Sequence, residues 1–108
     1  MAKDRLADLL DLTRTSPTKA LYWYALAMEH RGRAQLVEAQ AAFERCIQVD
    51  AGYVPAYFQY GVTLDEAGAR ARAAEMLKTG IGVARTKGDT HAAAEMAGQL
   101  ELWGVEAD

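Results

Sequence analysis

Apolar positions in this chain recur at intervals of three, four and seven, the stripe of an amphipathic helix, and the stripe is found more than once. From Tyr57 the chain places large apolar residues at Tyr57, Tyr60 and Leu64, a small one at Gly61, an acid at Asp65 and a glycine at Gly68. At an offset of 36 towards the N-terminus the same classes stand at Leu21, Tyr24, Ala25, Met28, Glu29 and Gly32. At 36 towards the C-terminus they stand at Ala93, Met96, Ala97, Leu100, Glu101 and Gly104. The small residue lies on the stripe, where a short side chain lets a second helix come close. The glycine four residues after the last apolar position suits the left-handed residue that ends a helix. A second pattern follows the first two copies at an offset of 34: Ala39, Phe43, Cys46, Ile47 and Val49 against Ala73, Leu77, Gly80, Ile81 and Val83. The two patterns predict a repeated unit of helix A, turn and helix B, with the turn after Gly32 two residues longer than the one after Gly68. Self-similarity of this period is the signature of stacked repeats.

Local signals set the expected boundaries. Ser16 caps and Pro17 opens the first A helix. Ala51-Gly52 separates the first B helix from Val54-Pro55, and Gly88-Asp89-Thr90 separates the second B helix from the last helix. Leu6, Leu9, Leu10 and Leu12 predict a further helix over about residues 2–13 that covers the open apolar end of the first unit. The expected organisation is one domain, 1–108: an N-terminal helix (about 2–13), a first repeat (17–53), a second repeat (54–88) and a capping helix (89–104), six helices in all. A terminal repeat that stops after its A helix is how such stacks are closed.

These residues resemble the tetratricopeptide repeat, whose pattern runs large residue, apolar-small pair, apolar residue, glycine, alanine, aromatic, alanine, proline. The second copy carries it as Tyr57, Tyr60-Gly61, Leu64, Gly68, Ala73 and Leu77; the first as Leu21, Tyr24-Ala25, Met28, Gly32, Ala39, Phe43 and Cys46. The resemblance spans roughly residues 18–104 and departs from the family in Ala51, where a proline is usual, and in the spacing of 36. It implies a small stand-alone protein of the bacterial type, all-α: a right-handed α-solenoid of two helix-turn-helix repeats flanked by an N-terminal and a C-terminal capping helix. It also implies that the A helices line a concave face. Carried across by position, the ligand-facing residues are Lys19, Tyr22, Trp23, Leu26, Glu29 and His30, then Pro55, Phe58, Gln59, Val62, Asp65 and Glu66. In the last helix they are His91, Ala94, Glu95, Gly98, Glu101 and Leu102.

Tyr22 and Leu26 share one helix face, as do Phe58 and Val62, and neither pair lies on the core stripes named above. Each A helix therefore has a second apolar face, more than one interface requires. The expected partner-binding set is Tyr22, Trp23, Leu26, Glu29, Phe58, Gln59, Val62, Asp65 and Glu66. It forms an apolar floor with an acidic end, suited to an apolar, partly basic peptide or helix. Association with a second copy through the same surface is the alternative. Repeats that clamp acidic chaperone tails use Lys and Asn at these positions; Tyr22, Leu26, Gln59 and Glu95 stand here instead, which argues against that role.

Composition narrows the picture. A chain of 108 residues, 51% hydrophobic and 25% charged, suits one ordinary globular domain. A net charge of −3 disfavours nucleic acid or an anionic membrane as partner. No apolar run reaches membrane-spanning length, and Asp8 and Asp11 interrupt the N-terminal one, so a cytoplasmic protein is expected. Cys46, the only cysteine, has no internal disulfide partner and falls where the repeat wants a small buried residue. His30 and His91 stand on different helices without a ligand set, so no metal is expected, and Gly80-Ile81-Gly82 inside a helix pattern is no phosphate loop. Trp103 is expected over the terminal core and Trp23 at a partner contact. No converging acid, base and nucleophile is found, so neither an enzyme nor a cofactor is expected.

Overall fold

The computed structural model describes residues 4–107, and these form six α-helices and no strand. They are α1 (Arg5–Thr15), α2 (Ala20–Gly32), α3 (Leu36–Val49), α4 (Val54–Glu66), α5 (Arg70–Thr86) and α6 (Thr90–Leu102). Positions 2 and 3 of the expected N-terminal helix lie outside the described residues. Each helix packs on its neighbours in sequence. In addition α2 meets α4 and α4 meets α6, whereas the backbones of α1, α3 and α5 stay farther from one another. The A helices α2, α4 and α6 thus crowd together on the inner side of a curved stack, and α1, α3 and α5 splay on the outer side.

The repeat period of the first two units is 34, not 36. Helix α2 maps onto α4 at 34 residue for residue, and α4 maps onto α6 at 36. The turns decide it. Gly68, Ala34 and Gly104 each adopt a positive φ, of 85°, 59° and 73°. Each is followed by an N–H that reaches back to the last buried turn: Ala69 to the Leu64 carbonyl at 2.8 Å, Gln35 to His30 at 2.9 Å, Val105 to Leu100 at 2.9 Å. This is the left-handed closing turn of a helix. In the first repeat it falls on Ala34, while Gly32 is still helical, so both A–B turns have the same length. An alanine at a position that normally takes glycine concealed the register. The two extra residues come instead from α5, which runs to Thr86, beyond the equivalent of Val49.

Ser16 also has a different role from that expected. It ends α1, its N–H bonding the Leu12 carbonyl at 2.8 Å, just as Asp50 ends α3 with a 2.9 Å bond to Cys46. The cap of α2 is Lys19, which makes no side-chain bond. Helix α1 is therefore a B-type helix at the 34-residue register. Asp89 does cap α6, accepting from the Ala92 N–H at 3.0 Å.

The small positions are where helices press together. A Cβ on Gly61 would lie 2.5 Å from Leu77 Cδ2, and one on Gly80 would lie 2.5 Å from Tyr57 Cβ and 2.6 Å from Met96 Sδ. Between repeats, Phe43 stacks on Tyr60 with centroids 5.9 Å apart, and within the first repeat it meets Tyr24 edge-on at 6.0 Å. Phe43, Cys46, Leu64, Leu77, Met96 and Leu100 are fully enclosed. Burying such side chains contributes about 1.5–3 kcal/mol each.

Gly80 and Gly82 stand on one helix and respond oppositely to a methyl group. Gly80→Ala forces Tyr57 or Met96 aside and destabilises the fold by about 1–3 kcal/mol. Gly82 has no atom within 4 Å of an added Cβ, so Gly82→Ala stabilises by about 1 kcal/mol through helix propensity. Urea unfolding of the two variants against wild type reads both signs. Ala34→Gly relieves the left-handed alanine and raises stability by a few tenths to about 1 kcal/mol; an unchanged or lowered midpoint would contradict the turn assignment.

Candidate protein-binding surface

The inner face is built from half-buried sides of α2, α4 and α6. On α4 these are Phe58, Gln59 and Val62, all half-buried, with Asp65 and Glu66 at the helix end. On α2 the residues 34 earlier are Tyr24, Ala25, Met28 and Arg31, also half-buried, preceded by Leu21, which is 57% exposed. The α2 face expected from the 36-residue offset is rotated away from this surface. Leu26 is only 3% exposed and lies in the first core cluster, so it is a core residue and not part of a groove floor. It matches Tyr60 at the true register, as Trp23 matches Tyr57 and Ala27 matches Gly61. Trp23 is engaged within the chain: its indole N–H donates to the Pro17 carbonyl at 2.8 Å, and the Arg45 guanidinium lies 5.2 Å over its ring. Tyr22 is half-buried on α2, one residue away from the face that Tyr24 shares with Phe58. His30, the counterpart of Leu64, is buried, with Nδ1 2.8 Å from Gln35 Oε1; it is neither solvated nor partner-facing.

Leu21, Tyr24, Met28 and Arg31 are the inner-face residues that the 36-residue reading left out. The signal for them was present in the 34-residue offset of the B helices, which, extended to the A helices, aligns Trp23-Leu26-Ala27 with Tyr57-Tyr60-Gly61.

The expected acidic end is neutralised from within. Glu29 pairs with Arg5 and with Arg33, each at 3.0 Å, and Arg33 also donates to Asp4 at 3.1 Å. The hydrogen bond with Arg33 holds the exposed Asp4 carboxyl below its usual range. Asp65 pairs with Arg70. Arg31 crosses from α2 to α4, donating to Glu66 at 2.7 Å and to Gln59 at 2.6 Å. Gln59 and Glu66 are therefore brought together, though around a cation supplied by the chain itself.

One inner-face gap is open. Between α4 and α6 a pocket of ≈ 260 Å³ is walled by Val54, Pro55, Phe58 and Met96, with Asp89, His91 and Glu95 at its edge. The corresponding place between α2 and α4 is filled by Tyr53, whose ring centroid is 5.3 Å from that of Tyr24. Asp89 occupies the position of Tyr53 ahead of α6, so the space beside Phe58 lacks the ring that fills its counterpart.

No family model matches the sequence, and no curated protein matches it. Among solved structures, the chain superposes on the crystal structure of MamA, a tetratricopeptide-repeat protein, with a TM-score of 0.69 at 20% identity over 84% of this chain. The fold is that of a tetratricopeptide-repeat protein. The match takes in 61% of the MamA chain, so this chain spans less than two thirds of that protein's length. At this identity the likeness speaks for the helical-repeat architecture alone. Among the described residues no cluster of three His, Cys, Asp or Glu residues is arranged to hold a metal, and no described helix is long and apolar enough to cross a membrane.

Cys46 is fully buried in the first core cluster, and desolvation pushes its thiol up to about 11. With the raised value, the thiolate is scarce throughout the neutral range, so the native chain resists alkylation at pH 8 while the urea-unfolded chain reacts at the rate of a free thiol. Mass spectrometry after a timed iodoacetamide pulse distinguishes the two; rapid labelling of the native chain would contradict the packing.

Proposed function

We propose that the chain is a non-enzymatic adaptor or scaffold that holds an apolar, partly basic peptide or helix against its inner face, with the pocket between α4 and α6 as the anchoring point. The observation that carries this reading is the open pocket beside Phe58. It offers an aromatic wall to an apolar side chain, and anchors of that kind supply most of the energy of protein interfaces. Its charged rim, Asp89 and Glu95 with His91, contains no Lys or Arg, so a cation next to the apolar anchor meets favourable charge. Farther along, Gln59 and Glu66 are held by Arg31, and a basic group reaching them must displace that guanidinium. Tyr24, Met28 and exposed Leu21 extend the apolar track towards α1. The reading belongs to a cytoplasmic setting, in keeping with the single buried Cys46.

The test pairs affinity with molar mass. A fluorescein-labelled synthetic helix bearing leucines at helical spacing and flanking lysines is titrated into the wild type, Phe58→Ala and Glu95→Lys. Phe58→Ala weakens binding about tenfold or more and Glu95→Lys weakens it most at low salt, while light scattering shows a monomer throughout. Equal affinity for wild type and Phe58→Ala removes the pocket from the interaction. A dimer that Phe58→Ala dissociates means instead that a second copy occupies the same surface.

A further inference from the structure

The two joints between neighbouring A helices follow one plan and are finished differently. At the joint of α2 and α4 the chain itself occupies the inner face with two side chains. Tyr53, one residue ahead of α4, lays its ring 5.3 Å from that of Tyr24. Arg31, near the end of α2, spans to α4, where Gln59 accepts from Nη1 at 2.6 Å and Glu66 from Nε at 2.7 Å. Its side chain is 24% exposed, so this guanidinium is seated in the joint. At the joint of α4 and α6 both groups are exchanged. The registers established above put Phe58 at the place of Tyr24, Asp89 at that of Tyr53, Asp65 at that of Arg31 and Glu95 at that of Gln59. In place of the ring stands a carboxylate that caps α6, and beside Phe58 the ≈ 260 Å³ pocket is left. In place of the guanidinium stands Asp65, paired with Arg70 of α5, whose guanidinium also lies 4.8 Å over the Trp103 ring. Leu102 stands for Glu66, so the acid of the joint has moved from the far helix to the near one. Glu95 has His91 beside it at 3.6 Å, and its side chain is 51% exposed.

We infer that the joint of α4 and α6 takes from a partner segment the two groups that the chain supplies to itself at the preceding joint: an aromatic ring against Phe58 and an arginine between Asp65 and Glu95. This rests on the inner-face reading above and gives its ligand a specific chemistry. An aromatic ring gains offset or edge contact with Phe58 that an aliphatic side chain does not. A guanidinium fork meets two carboxylates in plane, where the point charge of a lysine is indifferent to that geometry. Charge is complementary as well, since Asp89 and Glu95 edge the pocket and its lining holds no Lys or Arg. The first joint also sets the spacing. Tyr24 and Arg31 are seven helical residues apart, roughly 10 Å at about 1.5 Å each. An extended segment covers that distance in about three residues, so the recognised unit is an aromatic residue and an arginine three positions apart.

A labelled, end-blocked peptide Arg-Ala-Ala-Tyr-Ala-Ala-Arg, whose arginines flank the ring in both chain directions, is titrated into the full chain by anisotropy. Saturable binding is expected, about fivefold or more tighter than for the same peptide with leucine in place of tyrosine, or with lysine in place of both arginines. Asp89→Tyr, which supplies the ring of the preceding joint, abolishes it, and Glu95→Gln weakens it about fivefold or more. Tyr53 heads α4 without a side-chain cap, so the first variant copies an arrangement the chain already uses, and circular dichroism checks its fold. The inference is overturned if the peptide does not saturate, if the leucine and lysine versions bind as well, or if Asp89→Tyr binds as wild type does. The broader inner-face reading is tested apart from it. A leucine-lysine helix that still depends on Phe58 leaves that reading standing while this inference falls, and independence of Phe58 for both probes removes the two together. A chain dimer that Asp89→Tyr dissociates, read by light scattering, gives the pocket to a second copy and overturns the partner assignment.

Discussion

The second A–B pair is seated by one contact: a large side chain of helix B, Leu77, set down on a small position of helix A, Gly61. Leu77 over Gly61 shows how little room there is, since a single added carbon would sit inside van der Waals distance. Gly80 repeats the device on α5, which must slip between Tyr57 of α4 and Met96 of α6. With the backbones this close, the remaining large residues have only one way to interleave. The aromatic run Tyr24, Phe43 and Tyr60 then joins the first repeat to the second. Curvature follows from the same constraint, because helices that meet over small residues on one side must splay on the other.

The existence of the six helices could be read from periodicity, and so could the ends of most of them, because Gly68, Gly104, Pro55 and Asp89 carry their usual meanings. The first repeat was harder to place. Gly32 and Ala34 both lie near the end of α2, and the glycine was the natural choice for a left-handed turn; the chain uses the alanine. That two-residue displacement rotates α2 by more than half a turn in the reading of its faces. It exchanges Leu26 with Met28 and Tyr22 with Tyr24 as candidates for the inner surface. On α4, where no such ambiguity exists, Phe58, Gln59 and Val62 were placed on the face they occupy. Ion pairing was not legible at all: that Arg31 reaches Glu66 and Gln59, or that Glu29 holds Arg5 and Arg33, depends on which helices become neighbours.

Those pairs change the electrostatic character of the surface. The acids at the ends of α2 and α4 are matched by arginines within the chain, so their field is local and weak at physiological salt. The acids from residue 89 onwards have no Lys or Arg in their own segment. In space, however, the Arg70 guanidinium lies 4.8 Å over the Trp103 ring at the end of α6, so a cation from the second repeat reaches this end as well.

The unequal lengths of α3 and α5 have a further consequence for modularity. The unit from Ala20 to Tyr53 ends in a ring that closes the gap ahead of it, whereas the unit from Val54 to Asp89 ends in a carboxylate that leaves its gap open. Duplicating the first unit would lengthen the stack with another sealed joint. Duplicating the second would add another vacant one. Two interchangeable-looking building blocks thus differ in whether they extend the stack with closed joints or multiply its open pockets, and the choice rests on the few residues that link each B helix to the next A helix.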